Sequence, residues 1–422
     1  MLTRVLLKNF KLHAETEIEF APITVFIGPN NSGKSSVFQA LLALRQAAER
    51  NDAQFLRPEL GNQIVELGGF QDVVRAGEDG ISVGFSGTQP VERARGVRPV
   101  PVELAIEVHV RRNLVLSHTG HLDLSGRKHA WRGGLVPGYD QFEIPIENGR
   151  VTAVAQGSFR FLEALSVAPT EGLPSGTQEE VRSFGLKLAS APTDFLRSLR
   201  PVFPLRGFEQ WGYPLPDAAQ DDIDKLTLKE RAEAIVSIVA YKDAELHRLS
   251  DWLEEILSMR LKTQLVPPRR IAIRAEPAGL EGKDIPFTGE GTGANQMPFI
   301  LLPIGLASPT DTMMISEPEA HLHPKAQTDL TRLLLTIHKK ENRQFAIETH
   351  SEHVLHAFLH AVASGELEKE SLAIYYFEND NGVAKVRRLE IDEKGRVAGG
   401  LPGFFDQSLD ELTEYLDALR KP

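Results

Sequence analysis

The segment from Gly28 to Ser35, GPNNSGKS, limits what this chain can become more than any other, because it fills every fixed position of G-x-x-x-x-G-K-[ST]. The spacing has a mechanical basis. Its glycines let the backbone curl until successive N–H groups point at one place, and the following helix directs its positive end there. Such a nest suits a polyphosphate. Asn30, Asn31, Ser32, Gly33, Lys34, Ser35 and Ser36 surround it, with the Lys34 ammonium reaching the β- and γ-phosphates and the Ser35 hydroxyl joining a Mg2+ shell. The apolar run ITVFI predicts a strand before the loop, and Val37, Leu41, Leu44 and Ala48 recur after it at helical spacing. Strand, loop and helix in that order are the context the pattern requires.

With 422 residues the chain is too long for one small core. An apolar fraction of 41% and a charged fraction of 25% are ordinary for a soluble globular protein. No early basic-then-apolar segment and no run of eighteen apolar residues occurs, so a cytoplasmic protein without a membrane partner is expected. The absence of cysteine excludes disulfides, thiolate zinc sites, iron–sulfur clusters and cysteine nucleophiles. A net charge of −11 argues against a surface coated for nucleic acid, although basic residues gather in VERARGVRP, HVRRN, SGRKHAWRGG and RSLRPVFPLRGFEQW.

The pattern changes along the chain. TRVLLKNF and AETEIEF predict strands at the start, and residues 81–160 predict short strands separated by turn signals, an antiparallel β-subdomain. Helices are expected over 161–265, the clearest opening at a Thr227/Glu230 capping box and running through Ala232, Ile235, Val239, Leu249, Leu253 and Ile256. Strand and helix alternate again after Pro268, and a hairpin is predicted to turn at Asn381-Gly382 before an acidic helical tail. The expected division is 1–80 and 266–365 as two halves of one α/β lobe, 81–160 and 161–265 as insertions, and 366–422 as hairpin and tail.

Three further stretches supply candidate chemistry. In DTMMISEPEAHLHP a buried strand ends in carboxylates, and Glu317 is the candidate for orienting water. In QFAIETHSEH another apolar strand delivers His350, placed to sense a γ-phosphate. FTGEGTGANQ is a second glycine-rich turn. A dinucleotide fingerprint at Gly289, Gly291 and Gly293 lacks a convincing preceding strand and a following acidic residue. Glu317, Glu319, His321, His323 and His350 also read as donors for a transition metal.

LLKNFK, GPNNSGKSS, GTGANQ, SEPEAHLHP and ETHSEH together resemble the ABC-type ATPase heads of the RecF, structural-maintenance-of-chromosomes and OLD-like group, often called AAA-family ATPases. With LPGFFDQSLDEL near the end, the likeness is to a subgroup carrying a short uncharacterised C-terminal domain, similar to ATPase subunits of bacterial anti-phage systems. The resemblance spans the two ends and implies an α/β P-loop NTPase whose two copies clamp two ATPs. Lys34 and Ser35 then act in cis, while Gly291, Gly293, Asn295 and Gln296 cover the γ-phosphate in trans.

The implied activity is Mg2+-dependent ATP hydrolysis that drives a homodimer or higher oligomer and controls engagement of DNA or of a separate effector such as a nuclease, in repair or anti-phage defence. Two departures bear on the metal. Ser316 stands where the family carries a carboxylate, which implies weak metal holding and slow turnover, with Glu319 a substitute. The inter-lobe glutamine that contacts Mg2+ falls to Gln63 or Gln71. An ATP-locked scaffold that hydrolyses little is the alternative, and a transport ATPase head is a weaker one.

Overall fold

A computed structural model describes residues 1–50, 54–59, 64–91, 99–124, 127–134, 140–146, 149–155, 163–168, 175–204, 206–219, 228–280 and 282–400. Along the chain come β1 (Leu2–Phe10), β2 (His13–Glu19), β3 (Ile23–Ile27), α1 (Lys34–Arg50), α2 (Phe70–Val73), β4 (Gly80–Val91), β5 (Val100–Arg111), β6 (Leu114–Leu124) and β7 (Arg127–Gly134). Next are β8 (Asp140–Ile146), β9 (Gly149–Ala155), β10 (Glu163–Ala168), α3 (Ser175–Arg197), β11 (Leu199–Val202), β12 (Gly212–Pro214), α4 (Leu228–Tyr241), α5 (Asp243–Leu257), β13 (Met259–Val266), β14 (Arg270–Pro277) and β15 (Ile285–Pro286). The last third holds α6 (Thr292–Leu306), β16 (Thr312–Ser316), α7 (Pro324–Glu341), β17 (Gln344–Glu348), α8 (Glu352–Ala363), β18 (Leu372–Asp380) and β19 (Val383–Leu389).

The sheet that positions the loop has the order β11-β16-β17-β3-β18-β19, parallel from β11 to β18 and closed by the antiparallel β19. Its strands are continuous apolar runs because both faces are covered. Alternate residues serve two different cores. Phe26, Met314, Ala346, Tyr375 and Phe377 face the core shared with α1, α3 and the antiparallel strands. Val25, Ile27, Met313, Ile315, Phe345, Ile347 and Ile374 face the core built with α4 to α8. The result is a P-loop NTPase fold, with the carboxyl ends of β3, β17 and β16 side by side as in open α/β sheets that bind ligands there.

A second sheet, β2-β1-β4-β5-β6-β7, is antiparallel throughout. It begins with the first hairpin and takes β4 directly against β1. Gln344 ties the two sheets together: its Nε2 donates to the Leu2 and Ala21 carbonyls and its Oε1 accepts from the Leu2 amide.

Other expectations were altered by tertiary context. The helix expected from residue 227 divides at Lys242 into α4 and α5, and Thr227 lies outside the described residues. Residues 199–202, in the stretch expected to be helical, form β11 at the edge of the parallel sheet, where Pro201 needs no partner for a missing N–H. The RRIAIRAE strand joins a small antiparallel sheet with β12, β13 and β15. The hairpin at Asn381 (φ 52°) and Gly382 (φ 83°) turns as its sequence predicts. LPGFFDQSLDEL and Gln63 lie outside the described residues. Among the described residues no helix is long and apolar enough to cross a membrane.

Candidate functional site

The phosphate loop leaves β3 through Gly28 at φ 136°, bends at Asn31 (φ 58°) and Gly33 (φ 98°), and enters α1 at Lys34. Gly28 has a steric reason as well, since a Cβ there would sit 2.2 Å from the Phe377 carbonyl oxygen of β18. Two side chains from elsewhere brace the loop. His13 on the first hairpin is fully buried; one ring nitrogen lies 3.0 Å from the Gly33 carbonyl and the other 2.9 Å from Thr16 Oγ1. Only a ring N–H can bond the carbonyl, so Nε2 carries the proton and Nδ1 accepts from Thr16. Asn379 on β18 donates to the Asn31 carbonyl at 2.9 Å.

Lys34 is 3% exposed, and its Nζ donates to the Gly28 and Pro29 carbonyls at 2.9 and 2.8 Å. Burial lowers its pKa, while Glu348, Glu317 and Glu319 pull it back up. The Ser32 hydroxyl is buried without a hydrogen-bond partner. Asn30, Asn31, Ser32, Gly33, Lys34, Ser35 and Ser36 line a cavity of ≈ 440 Å3, which Glu317, Glu348 and His350 close from the opposite side.

Three carboxylates stand at the strand ends, each differently held. Glu348, last in β17, accepts a hydrogen bond from Ser35 Oγ at 2.5 Å. Burial raises its pKa, opposed by the Ser35 hydroxyl and Lys34. Glu319 is buried and accepts the His350 amide at 2.7 Å, and desolvation raises its pKa too. Glu317 lies in a left-handed turn at φ 47°, with its amide bonded to the Glu348 carbonyl at 2.8 Å and its side chain 42% exposed. Its Oε1 is 3.9 Å from His350 Nε2. Burial and Lys34 lower the His350 pKa against the pull of Glu317, which favours the neutral ring at pH 7.

Arg206, in the loop after β11, fixes this turn from behind. Its guanidinium donates to the carbonyls of Phe203, Ser316 and Glu317 and to Gln296 Oε1 at the start of α6. Burial pulls its pKa down to about 10, against the raising effect of Glu319 and Glu317. The carboxylate turn and the second glycine-rich turn are thereby joined through one cation.

That second turn opens α6, which packs so closely that a Cβ on Gly293 would come within 2.3 Å of the His321 carbonyl oxygen. Gly291 differs: it is exposed, and among the described residues nothing lies within 4 Å of where its Cβ would be. The neighbouring Thr292 is exposed as well.

Residues 1–76 and 213–355, more than half of the chain, match the AAA ATPase domain family. The chain belongs to that family. Residues 367–414 of this ATPase match a second family, described as a protein of unknown function (DUF3696). No curated protein matches the chain. Solved structures similar to it include an SMC head bound to the C-winged helix domain of ScpA, 16% identical, covering 93% of this chain and 98% of that one with a TM-score of 0.48. Another is the SMC head domain from Thermotoga maritima, 14% identical, covering 92% and 99%, TM-score 0.42. A third is an Smc head with an extended coiled coil bound to the C-terminal domain of ScpA derived from Pyrococcus furiosus, 14% identical, covering 100% and 99%, TM-score 0.48.

Within the ATPase, several expected site residues are placed differently from their sequence reading. Asn295 exchanges both amide atoms with the Phe208 backbone at 2.9 Å. Gln296 is 2% exposed, donates to the Ala320 carbonyl and accepts from Arg206. Both amides bond backbone groups of their own chain. The outward surface of the turn is Gly291 and Thr292. Gln71 is exposed and does not line the cavity; the same turn, α2, carries Asp72 into it instead. Ser316 is also outside the cavity lining.

The histidines of HLHP have local duties. His321 adopts φ 59°, and His323 caps α7 by accepting the Lys325 amide at 3.3 Å ahead of Pro324. Among the described residues no group of three or more His, Cys, Asp or Glu side chains is arranged to hold a metal. The glycine run from 289 to 293 follows the short β15 of the small antiparallel sheet, so it lacks the parallel βαβ setting of a dinucleotide site. Sequence reasoning missed His13, Arg206, Glu348 and Asn379 as parts of the site. Only Glu348 had a local signal, as the last residue of an apolar strand.

Proposed function

We propose that this chain is a Mg2+-dependent ATPase whose ATP is bound by the phosphate loop of one copy and covered by the exposed Gly291 corner of a second. The observation that carries the reading is the combination of a phosphate-loop cavity lined also by Glu317 and His350 with an exposed glycine corner at the start of α6 that has open space around it among the described residues. A residue without a Cβ lets backbone amides approach a phosphate closely.

The residues present fit Mg2+, since a hydroxyl and a buried carboxylate with an unpartnered oxygen meet at the loop. When bound, the ion neutralises charge on the β- and γ-phosphate oxygens. Lys34 exchanges its two loop carbonyls for phosphate oxygens. Glu317, with its backbone pinned and its side chain in the cavity, orients water toward the γ-phosphate and takes its proton. Neutral His350 donates to, or accepts from, the γ-phosphate side of the same water network.

Closure of two copies would then depend on ATP and end with hydrolysis. What closure controls follows from the motif resemblance alone: engagement of DNA or of a separate effector such as a nuclease, in repair or anti-phage defence. A weakly held ion at Ser316 would instead leave an ATP-locked scaffold that hydrolyses little. Single-turnover assays with purified protein, excess enzyme and radiolabelled ATP separate the two. Phosphate release that needs Mg2+ is expected; tight retention of intact ATP would favour the scaffold.

A further inference from the structure

A Mg2+ ion beside the Ser35 hydroxyl needs at least one carboxylate among its oxygens. The strand end that the motif pattern assigns to that task carries Ser316. In register with it, one strand nearer to β3, β17 ends on Glu348. A side chain from β17 has no intervening strand to reach across.

Glu348 is 3% exposed, and its two oxygens are not equivalent. Oε1 accepts from Ser35 Oγ; Oε2 is buried with no hydrogen-bond partner. A carboxylate buried with one bare oxygen is costly unless a cation completes it. Lys34, which lines the same cavity, gives its hydrogen bonds to Gly28 and Pro29 and does not complete the carboxylate.

We propose that Glu348, and not residue 316, is the carboxylate that holds the divalent cation of the ATP site, together with the Ser35 hydroxyl. The inference rests on the nucleotide reading above and goes further by assigning the metal to a different strand. It also sorts the remaining carboxylates. Glu319 also has a buried oxygen without a partner, but it does not line the cavity and its other oxygen accepts the His350 amide, whereas Glu317 lines the cavity with an exposed side chain. The serine at 316 then ceases to be a sign of a failing metal site.

The test uses the full chain and a non-hydrolysable ATP analogue, with affinity measured by calorimetry in Mg2+ and in EDTA, and Mn2+ binding followed by the free-ion electron paramagnetic resonance signal. Glu348→Gln is expected to remove about 10-fold or more of the affinity that the metal adds, with the metal-free affinity no lower than that of the parent. Its melting temperature without nucleotide should equal or exceed that of the parent, because an amide removes the unpaired buried charge. Ser316→Ala should stay within about 3-fold of the parent in both metal assays, and Glu348→Asp, which retracts the charge by one methylene, should fall between.

Parental metal dependence in Glu348→Gln, or loss of metal in Ser316→Ala, would overturn the assignment. An analogue bound equally with and without metal by the parent would overturn it while leaving the nucleotide reading standing. An analogue not bound at all would remove both.

Discussion

Lys34→Ala is expected to weaken ATP binding by at least about 100-fold and to leave no measurable phosphate release, because each hydrogen bond from a buried cation to a charged oxygen is worth about 1.5–3 kcal/mol. The loop stores this lysine in a partly satisfied state. Its Nζ has two carbonyl partners, burial opposes its charge, and three glutamates hold that charge without an ion pair to it. A phosphate offers what those carbonyls cannot, a full counter-charge in a place shielded from water. Calorimetry with Mg2+-ATP checks the affinity and a phosphate assay the turnover. Parental affinity in the variant would mean that the loop is not where phosphate binds.

The second large effect concerns Glu317. Glu317→Gln should slow hydrolysis by about 100- to 10,000-fold, the range for loss of a positioned general base, while ATP still binds. The reason lies in how the turn is built. Its left-handed backbone is anchored by the Glu348 carbonyl on one side and Arg206 on the other, and neither contact uses the carboxylate. Exchange of that carboxylate for an amide therefore leaves the turn standing. The expected consequence is accumulation of a two-copy complex in ATP, read as a doubled mass by light scattering coupled to size exclusion. A variant that hydrolyses at the parental rate would transfer the water-orienting role to another carboxylate.

What the sequence made legible was whatever depends on contiguous residues. The phosphate loop, the strand before it, the helix after it and the Asn381-Gly382 hairpin are local patterns whose geometry follows from a few adjacent residues. The two strands that deliver Glu317 and His350 were legible for the same reason, as short apolar runs between polar ends. Elements defined by distant partners were not. β11 is four residues containing a proline, and only the edge of β16 makes it a strand. Arg206 lies 110 residues from Ser316 in sequence, so no spacing could connect it to the carboxylate turn.

The site residues that moved roles did so for a related reason. A glycine-rich turn followed by Asn and Gln suggests outward amides, but Phe208 and Ala320 offer inward partners, and a buried backbone group left unpaired is expensive. Likewise, sequence position singled out residue 316 as the metal ligand's place, whereas the parallel register puts residue 348 at the same level and closer to the loop.

The central claim is that one ATP is enclosed by the phosphate loop of one copy and the Gly291 corner of another. The natural chain contains no cysteine, so two single-cysteine proteins report on this contact without background. Asn30→Cys and Thr292→Cys, both at exposed positions and each in the Glu317→Gln form, would be mixed and treated with a short bis-maleimide. The account predicts a cross-linked heterodimer that forms with Mg2+-ATP and not without nucleotide. ATP bound to saturation with no 30-to-292 product would contradict it.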